Sequence, residues 1–424
     1  MKSVPFQIFA LLSVLVLVNT ASADEPLTLK QVSAMVQHNP ALLARTASAE
    51  AYAFKPAQVG GLPDPVLSVG AISFPVDTLN RDQENMTQLQ VGISQSFPFP
   101  GTLGLAAQSD EYMAQAASLD VDELRLQLIS RAQQSWWSLF YLDRALDTVV
   151  RNKQLLKQLT RIAESKYKTG KGLQQDVLLA QLELSKLLDI QLQLQSARQQ
   201  ESIRLNTVLN RPAQQSIVLP QAVEETLVAA QAEQVLMDKA LQYRPKLNKQ
   251  HKLIEAAEAQ VSLADKAYYP DFKLGASYGF RAANPVTNVD RADLASITLS
   301  MSLPFFGETQ DANAGEKKAA LASQGFAYQD AKQAVMAEIL QALTSYEQSK
   351  AQVALFKQGI IPQAKQTVAS MRAAYQVNKV DFLNLIRAQI TLYNYETQYW
   401  KAFASAKQAL AMLDAAVGEE GNDE

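Results

Sequence analysis

Histidine is the side chain best suited to metal binding and proton transfer near neutral pH, and the chain carries two, His38 and His251. His251 has Glu255 four residues on, a spacing that puts both on one helix face; His38 is followed by no ligand-type side chain at helical spacing. Two ligands fall short of the three or four that a zinc site uses, so solvated or capping roles are expected of both. Cysteine is absent, which excludes thiolate metal sites, catalytic thiols, disulfides and an N-terminal lipidated cysteine. No G-x-S-x-G, Walker or H-E-x-x-H pattern occurs, and the methionines are scattered singly, as packing residues are. The net charge is −3 with no dense basic run, so nucleic acid is not an expected partner. Neither an enzyme nor a resident metal or cofactor is expected.

What the residues do specify is architecture. The first of them have the form of a secretory signal: Lys2, a mostly apolar run from Val4 to Val18, and Ala21-Ser22-Ala23 as a small-residue cleavage site, so 1–23 are expected to be removed. That run is shorter than the roughly 20 residues a spanning helix needs. No later stretch is apolar for long enough to span as a helix, which leaves a soluble, peripheral or β-barrel mature chain.

The mature chain reads as a tandem duplication. Leu62-Pro63-Asp64 recurs as Tyr269-Pro270-Asp271, and Phe97-Pro98-Phe99-Pro100-Gly101 as Leu303-Pro304-Phe305-Phe306-Gly307. Tyr167, Lys171, Ala180 and Gln181 recur as Tyr375, Lys379, Ala388 and Gln389. The common order and spacing, about 206 to 208 residues, are those of a repeat and not of chance matches. Residues 24–218 form the first copy and 219–417 the second; prolines interrupt the helical pattern near their junction, and 418–424 form an acidic tail expected to be disordered. Each copy reads helix, strand, strand, very long helix, break, helix.

The strands alternate. Phe272, Leu274, Ala276, Tyr278 and Phe280 interleave with Lys273, Gly275, Ser277, Gly279 and Arg281. Ile297, Leu299 and Met301 interleave with Ser296, Thr298 and Ser300, and Leu89, Val91 and Ile93 with Gln88, Gln90, Gly92 and Ser94. Their length is close to that of a tilted transmembrane strand with a lipid face and a lumen face, although strands of a soluble sandwich also alternate. The segment from Val66 to Phe74 alternates poorly and its facing stays open. From Gly101 to Lys168, and from Gly307 to Gln376 apart from Pro362, nothing stops a helix, so each segment extends roughly 100 Å. Leu385, Ala388, Leu392, Tyr395, Tyr399, Ala402, Ala406, Ala409 and Leu413 are spaced three and four in turn, and Leu173, Val177, Ala180, Leu184 and Leu187 do the same. These predict antiparallel coiled-coil hairpins.

Over essentially the whole mature chain these features resemble the TolC family of outer-membrane efflux proteins. The family's tip signature, a Tyr, a Gly three residues on and a Leu-rich stretch with Ala-Gln, stands as Tyr167, Gly170, Leu173, Asp176, Val177, Leu178, Ala180 and Gln181. In the second copy it stands as Tyr375, Leu385, Ala388 and Gln389, with Asn378 in place of Gly, a mild change because Asn tolerates left-handed backbone. Within the family, Gly60-Gly61-Leu62-Pro63-Asp64-Pro65 and Ser94-Gln95-Ser96-Phe97-Pro98-Phe99-Pro100-Gly101 look like the heavy-metal cation-efflux subgroup typified by CzcC, which commonly has Lys where this chain has Thr102.

The resemblance implies a mainly α fold with a transmembrane β part: a homotrimer whose 12-stranded β-barrel continues into a periplasmic α-helical barrel. It implies a passive exit duct in the outer membrane that extends into the periplasm and serves a periplasmic membrane-fusion adaptor and an inner-membrane RND-type pump. Heavy-metal cations are the expected cargo. Drugs or secreted polypeptides through the same duct are the alternative, and a periplasmic coiled-coil scaffold without a pore is a further one. Leu89, Val91, Ile93, Phe272, Leu274, Tyr278, Phe280, Ile297, Leu299 and Met301 are then expected to face outer-membrane lipid. Tyr167, Gly170, Lys171, Gly172 and Leu173, with Tyr375, Asn378, Lys379 and Asp381, would form the tip that docks the adaptor. Multidrug members narrow the pore mouth with two acidic residues just past the second tip; here those positions hold Asn384 and Arg387, and the first copy offers Asp176 and Leu179.

Overall fold

The computed structural model describes residues 26–305 and 307–421, so the expected signal segment, Phe306 of the second turn motif and 422–424 lie outside the described residues. The first copy runs α1 (Leu29–Met35), a 3-10 turn (Val36–His38), α2 (Pro40–Ala53), α3 (Lys55–Gly60), β1 (Val66–Ile72), β2 (Gln88–Phe97), α4 (Thr102–Lys168) and α5 (Gln174–Val208). The second runs α6 (Glu233–Tyr243), α7 (Pro245–Lys266), β3 (Phe272–Arg281), β4 (Leu294–Met301), α8 (Gly307–Leu355), a π-helical turn (Phe356–Ile360), α9 (Ile361–Gln376) and α10 (Phe382–Val417). No helix among the described residues is long and apolar enough to cross a membrane.

The two halves also stop their helices alike. Gly170 and Asn378 end the outgoing helices, and Asn210 and Gly418 end the returning ones, all four with positive φ. At each the following N–H reaches a carbonyl five residues back: Lys171 to Lys166 at 2.8 Å, Lys379 to Ala374 at 2.9 Å, Arg211 to Asn206 at 2.8 Å and Glu419 to Asp414 at 2.9 Å. This is the Schellman closure, which satisfies orphan carbonyls and requires a residue that accepts the left-handed region. Of the acidic tail, Glu419 also pairs with Lys239 at 2.7 Å.

α4 has 67 residues, about 100 Å of helix. Its counterpart is interrupted. Pro362 has no N–H to donate and its ring crowds the preceding turn; the five-residue π turn stands immediately upstream, with Pro362 in the first turn of α9, where a missing donor costs least. On α10 the expected seam is buried at Leu385, Leu392, Tyr399, Ala402, Ala406, Ala409 and Leu413. On α5, Ala180 is buried and Val177, Leu184 and Leu187 pack beside it. Leu173, expected to head that seam, is instead the extended residue before α5 and is exposed, because the chain is still turning there.

Midway along the long helices lies the main core. Trp137 and Phe140 of α4 meet Phe403 and Trp400 of α10 edge-on, Trp136 stacks on Phe140, and Leu27, Val32, Val36, Ile217 and Leu219 close over them. Trp136 Nε1 donates to the Leu27 carbonyl at 2.7 Å. The equivalent region of the second copy holds a buried ion pair, with Arg244 Nη2 2.8 Å from Glu123 Oε1, while Glu123 Oε2 accepts from the Lys246 N–H.

The sheet is antiparallel throughout, in the order β1-β2-β3-β4. Directly paired residues share a face. One row reads Val69, Val91, Tyr278, Ala295; the next reads Leu67, Ile93, Ala276, Ile297; a third joins Ala71, Leu89 and Phe280. The apolar positions of β2, β3 and β4 therefore share one face, and the register assigns Leu67, Val69 and Ala71 of the ambiguous β1 to it.

The buried ion pair yields a stability prediction. Glu123→Gln strands the Arg244 guanidinium in the core with only half-exposed Glu338 to meet it, and is expected to cost about 3 to 5 kcal/mol. Arg125→Gln, whose partners are exposed, is expected to cost less than about 1 kcal/mol. Denaturant unfolding of the purified proteins measures both, and equal effects would contradict the assignment.

Candidate functional site

Two parts of the molecule carry arrangements beyond packing: the sheet, and the pair of turns at the far ends of the hairpins. On the sheet's apolar face the side chains are exposed, with Val69 at 75% and Ile297 at 82%. Tyr278 and Phe280 pack edge to face on it at 4.9 Å. The opposite face is mostly hydroxyl, amide and glycine, with Lys273, Arg281, Val66, Ile72 and Leu294 among them, and is tied by Gln90 Nε2 to Ser277 Oγ at 2.8 Å and by Ser68 Oγ to the Gly92 carbonyl at 3.3 Å. Small residues are needed there: a Cβ on Gly92 would lie 3.0 Å from Ser68 Oγ and 3.1 Å from Ser277 Cβ, and one on Gly279 would strike the Gln88 side chain. β1 and β4 are edge strands, so within one chain the sheet does not close.

At the other end, the α4–α5 and α9–α10 turns are brought together by Lys166. Its Nζ donates to the Tyr375 carbonyl at 2.5 Å and to Asn378 Oδ1 at 2.6 Å, and lies 4.1 Å from the Tyr375 ring centroid. Tyr375 is buried against Phe382, whereas its counterpart Tyr167 is exposed, so the copies use the same tyrosine differently. Gly170, Lys171, Leu173, Asn378, Lys379 and Asp381 are exposed. Gly172 is needed by its own turn, since a Cβ there would come within 2.9 Å of Lys166 Cβ and 3.2 Å of backbone. The Lys166 clasp is absent from the sequence expectations; a lysine in the last turn of a helix signals only a favourable dipole, and its second-copy counterpart is Ala374.

Asp176 is half-buried beside this clasp, and Asn384 and Arg387 are exposed on α10. Burial pushes the Asp176 carboxyl above the ordinary carboxylate range; a Leu173 backbone hydrogen bond pulls it down, Asp381 pushes it up and Lys166 pulls it down. His251 Nδ1 lies 3.2 Å from Glu255 Oε1, and Lys252 shares that carboxylate at 2.7 Å. Among the described residues no group of three His, Asp or Glu is placed to hold a metal ion.

A raised carboxyl favours the folded turn when protonated, a contribution present below its unfolded pKa and lost as pH rises through the folded one. Protection of the turn amides at Gly170 to Gly172 and at Asn378 and Lys379 is therefore expected to fall as pH climbs through the raised Asp176 pKa, and to lose that dependence in Asp176→Asn. Hydrogen exchange corrected for intrinsic rates reads this out; a wild-type profile identical to that of Asp176→Asn contradicts it.

Residues 236–419 match the family model described as outer membrane efflux protein. No curated protein matches the chain significantly. Among solved structures, the chain is similar to the outer membrane protein VceC from Vibrio cholerae, at 19% identity and TM-score 0.76, with 92% of this chain and 96% of that one covered. It is similar to the open state of the Neisseria gonorrhoeae outer membrane channel MtrE, at 18% identity and TM-score 0.75, covering 92% and 89%. It is also similar to CusC, a structure described in terms of transmembrane channel formation, at 16% identity and TM-score 0.77, covering 92% of each. The chain thus shares the fold of solved outer-membrane channels along nearly its whole length, and its second half matches the outer membrane efflux protein family.

Proposed function

We propose that the protein is one protomer of a trimeric exit duct in the outer membrane, passively conducting cargo delivered by an inner-membrane RND-type pump through a periplasmic adaptor. The observation that carries this reading is the single exposed apolar face running across all four strands, ending in two unpaired edges. Open edges in lipid would leave backbone donors and acceptors without partners, so a four-stranded unit in a membrane has to be completed by other copies. Three copies give a 12-stranded barrel of even strand number. The fold shared with outer-membrane channels supports the same reading, and helices of about 100 Å put the paired turns far across the periplasm.

The cargo is a separate question. Gly60 to Pro65 and Ser94 to Gly101, the words that resemble the heavy-metal subgroup, lead from α3 into β1 and from the end of β2 into α4. Ser94 and Ser96 of the second word lie on the sheet's polar face, so the chemistry of that face bears on cargo.

Membrane fractionation and mass measurement in detergent test the assembly, and a soluble monomer would overturn it. Leu299→Arg and Val69→Arg are expected to block assembly, since a midplane Arg on a lipid face costs about 2 to 4 kcal/mol, whereas Thr298→Asn on the other face is tolerated. Equal effects on both faces would mean the facing is wrong. Adaptor docking has its own test: Lys171→Glu with Lys379→Glu is expected to leave trimers intact, because exposed charges contribute little, but to reduce adaptor crosslinking and efflux. Normal crosslinking in the double variant would remove both lysines from the interface.

A further inference from the structure

We propose that the polar face of the sheet is an anion-preferring section of the duct, with Lys273 as its selecting residue, so that the cargo it passes is anionic or neutral, or a metal held inside an anionic ligand. The inference rests on the duct reading and adds to it the class of cargo.

The register builds the polar face row by row. Ser96, Lys273 and Ser300 form the row nearest the helices; Ile72, Gln88 and Arg281 form the row at the far end of the strands. The rows between hold Ser, Thr, Gln, Gly, Val66 and Leu294, so the ionisable side chains of this face are both cationic. Lys273 is exposed and has no ion-pair or hydrogen-bond partner among the described residues.

Three carboxylates stand just outside the strands: exposed Asp64 before β1, Asp271 before β3 and Asp293 before β4. Asp271 Oδ1 accepts from the Phe99 N–H at 2.8 Å. Asp293 accepts from Tyr278, on the apolar face, at 2.8 Å and from the Arg281 N–H at 2.9 Å. Asp293 thus offsets Arg281 in part, whereas no carboxylate among the described residues forms an ion pair with Lys273.

Shape reinforces charge. The polar face is hollowed by a groove of about 270 Å³, lined by Lys273 with Ser94, Ser277, Thr298 and Ser300. The glycines of β2 and β3 fall on this same face, where cross-strand side chains lean in. Curling the sheet toward this side puts Lys273 inside the barrel. Three copies then make a ring of lysines at the entrance from the helical tunnel and a ring of arginines at the exit. Cationic rings within low-dielectric walls raise the local concentration of anions and repel bare cations.

Absence of cysteine makes the test clean. Ser277→Cys, midway along the polar face, and Ala276→Cys, on the apolar face, are introduced singly into the full chain and assembled in lipid. Each is reacted with a methanethiosulfonate bearing a sulfonate and with one bearing a trimethylammonium group. Every rate is normalised to that of the same reagent with free cysteine. At low salt Ser277→Cys is expected to favour the sulfonate reagent by roughly tenfold, with the preference collapsing toward unity on adding Lys273→Gln or salt. Equal rates, a preference for the cationic reagent, or a preference unchanged by Lys273→Gln overturns the proposal while leaving a duct in place. Ala276→Cys, sealed in lipid, is expected to react with neither reagent. If it reacts as fast as Ser277→Cys, the barrel reading falls and the selectivity proposal with it.

Discussion

A four-stranded antiparallel sheet with one largely apolar, exposed face, and with both edges unpaired, is not a complete structure. In water its apolar face would drive association, and in lipid its edges would leave backbone groups without hydrogen bonds. The rest of the molecule is arranged around that incompleteness. The strands come in two pairs from two copies of one unit, and the junction between β2 and β3 is made by register alone, from Gln88 opposite Arg281 to Phe97 opposite Phe272. In an assembly of the kind proposed above, sheets would join edge to edge only where the long hairpins also pack side by side.

The two halves share one plan but put it to different work. Both copies end their helices with the same Schellman closure, yet Tyr167 faces solvent where Tyr375 is buried under the Lys166 ammonium. Asn39, before Pro40, caps α2 by accepting from the Ala41 N–H and donates to the Val208 carbonyl; in the second copy Arg244, before Pro245, forms the core ion pair with Glu123. Gly418 sits so close to Tyr243 and Arg244 that a Cβ would come within 2.9 Å of backbone, so the left-handed glycine also clears space for the arginine's chain. The same backbone plan thus holds two different interiors.

How legible this was in the sequence depended on whether the information was periodic. Strand alternation in 272–281 and 294–301, the turn residues Gly170 and Asn378, and the α10 seam all repeat at fixed spacing, and each is where periodicity puts it. β1 was opaque because Val66 and Ile72 put apolar side chains on the polar face, blurring the two-residue period; only pairing with β2 reveals that Leu67 and Val69 are the members of the apolar face. The Lys166 clasp and the Arg244–Glu123 pair join residues far apart in the chain, one member of each lying outside any repeated word, so no pattern along the sequence announces them. Leu173 shows the converse error, in which a heptad match was extended one residue into a turn.

The segment joining the copies turns out to be structural. Between Pro220 and Ala232 the chain has no regular structure, yet it is held across the second hairpin at several points. Glu225 accepts from Lys357 at 2.8 Å and from Tyr399 at 2.7 Å, and the Val228 carbonyl accepts from Tyr346 at 2.5 Å. Lys357 belongs to the π turn that precedes Pro362, the one place where the outgoing helix of the second copy departs from α geometry. A π turn is a common place for a helix to kink, so a strap anchored there meets the hairpin where its outgoing helix can bend. α4 runs unbroken through the corresponding level. The two hairpins therefore differ in backbone geometry for a reason that can be traced to a single proline, and the linker is anchored at that interruption.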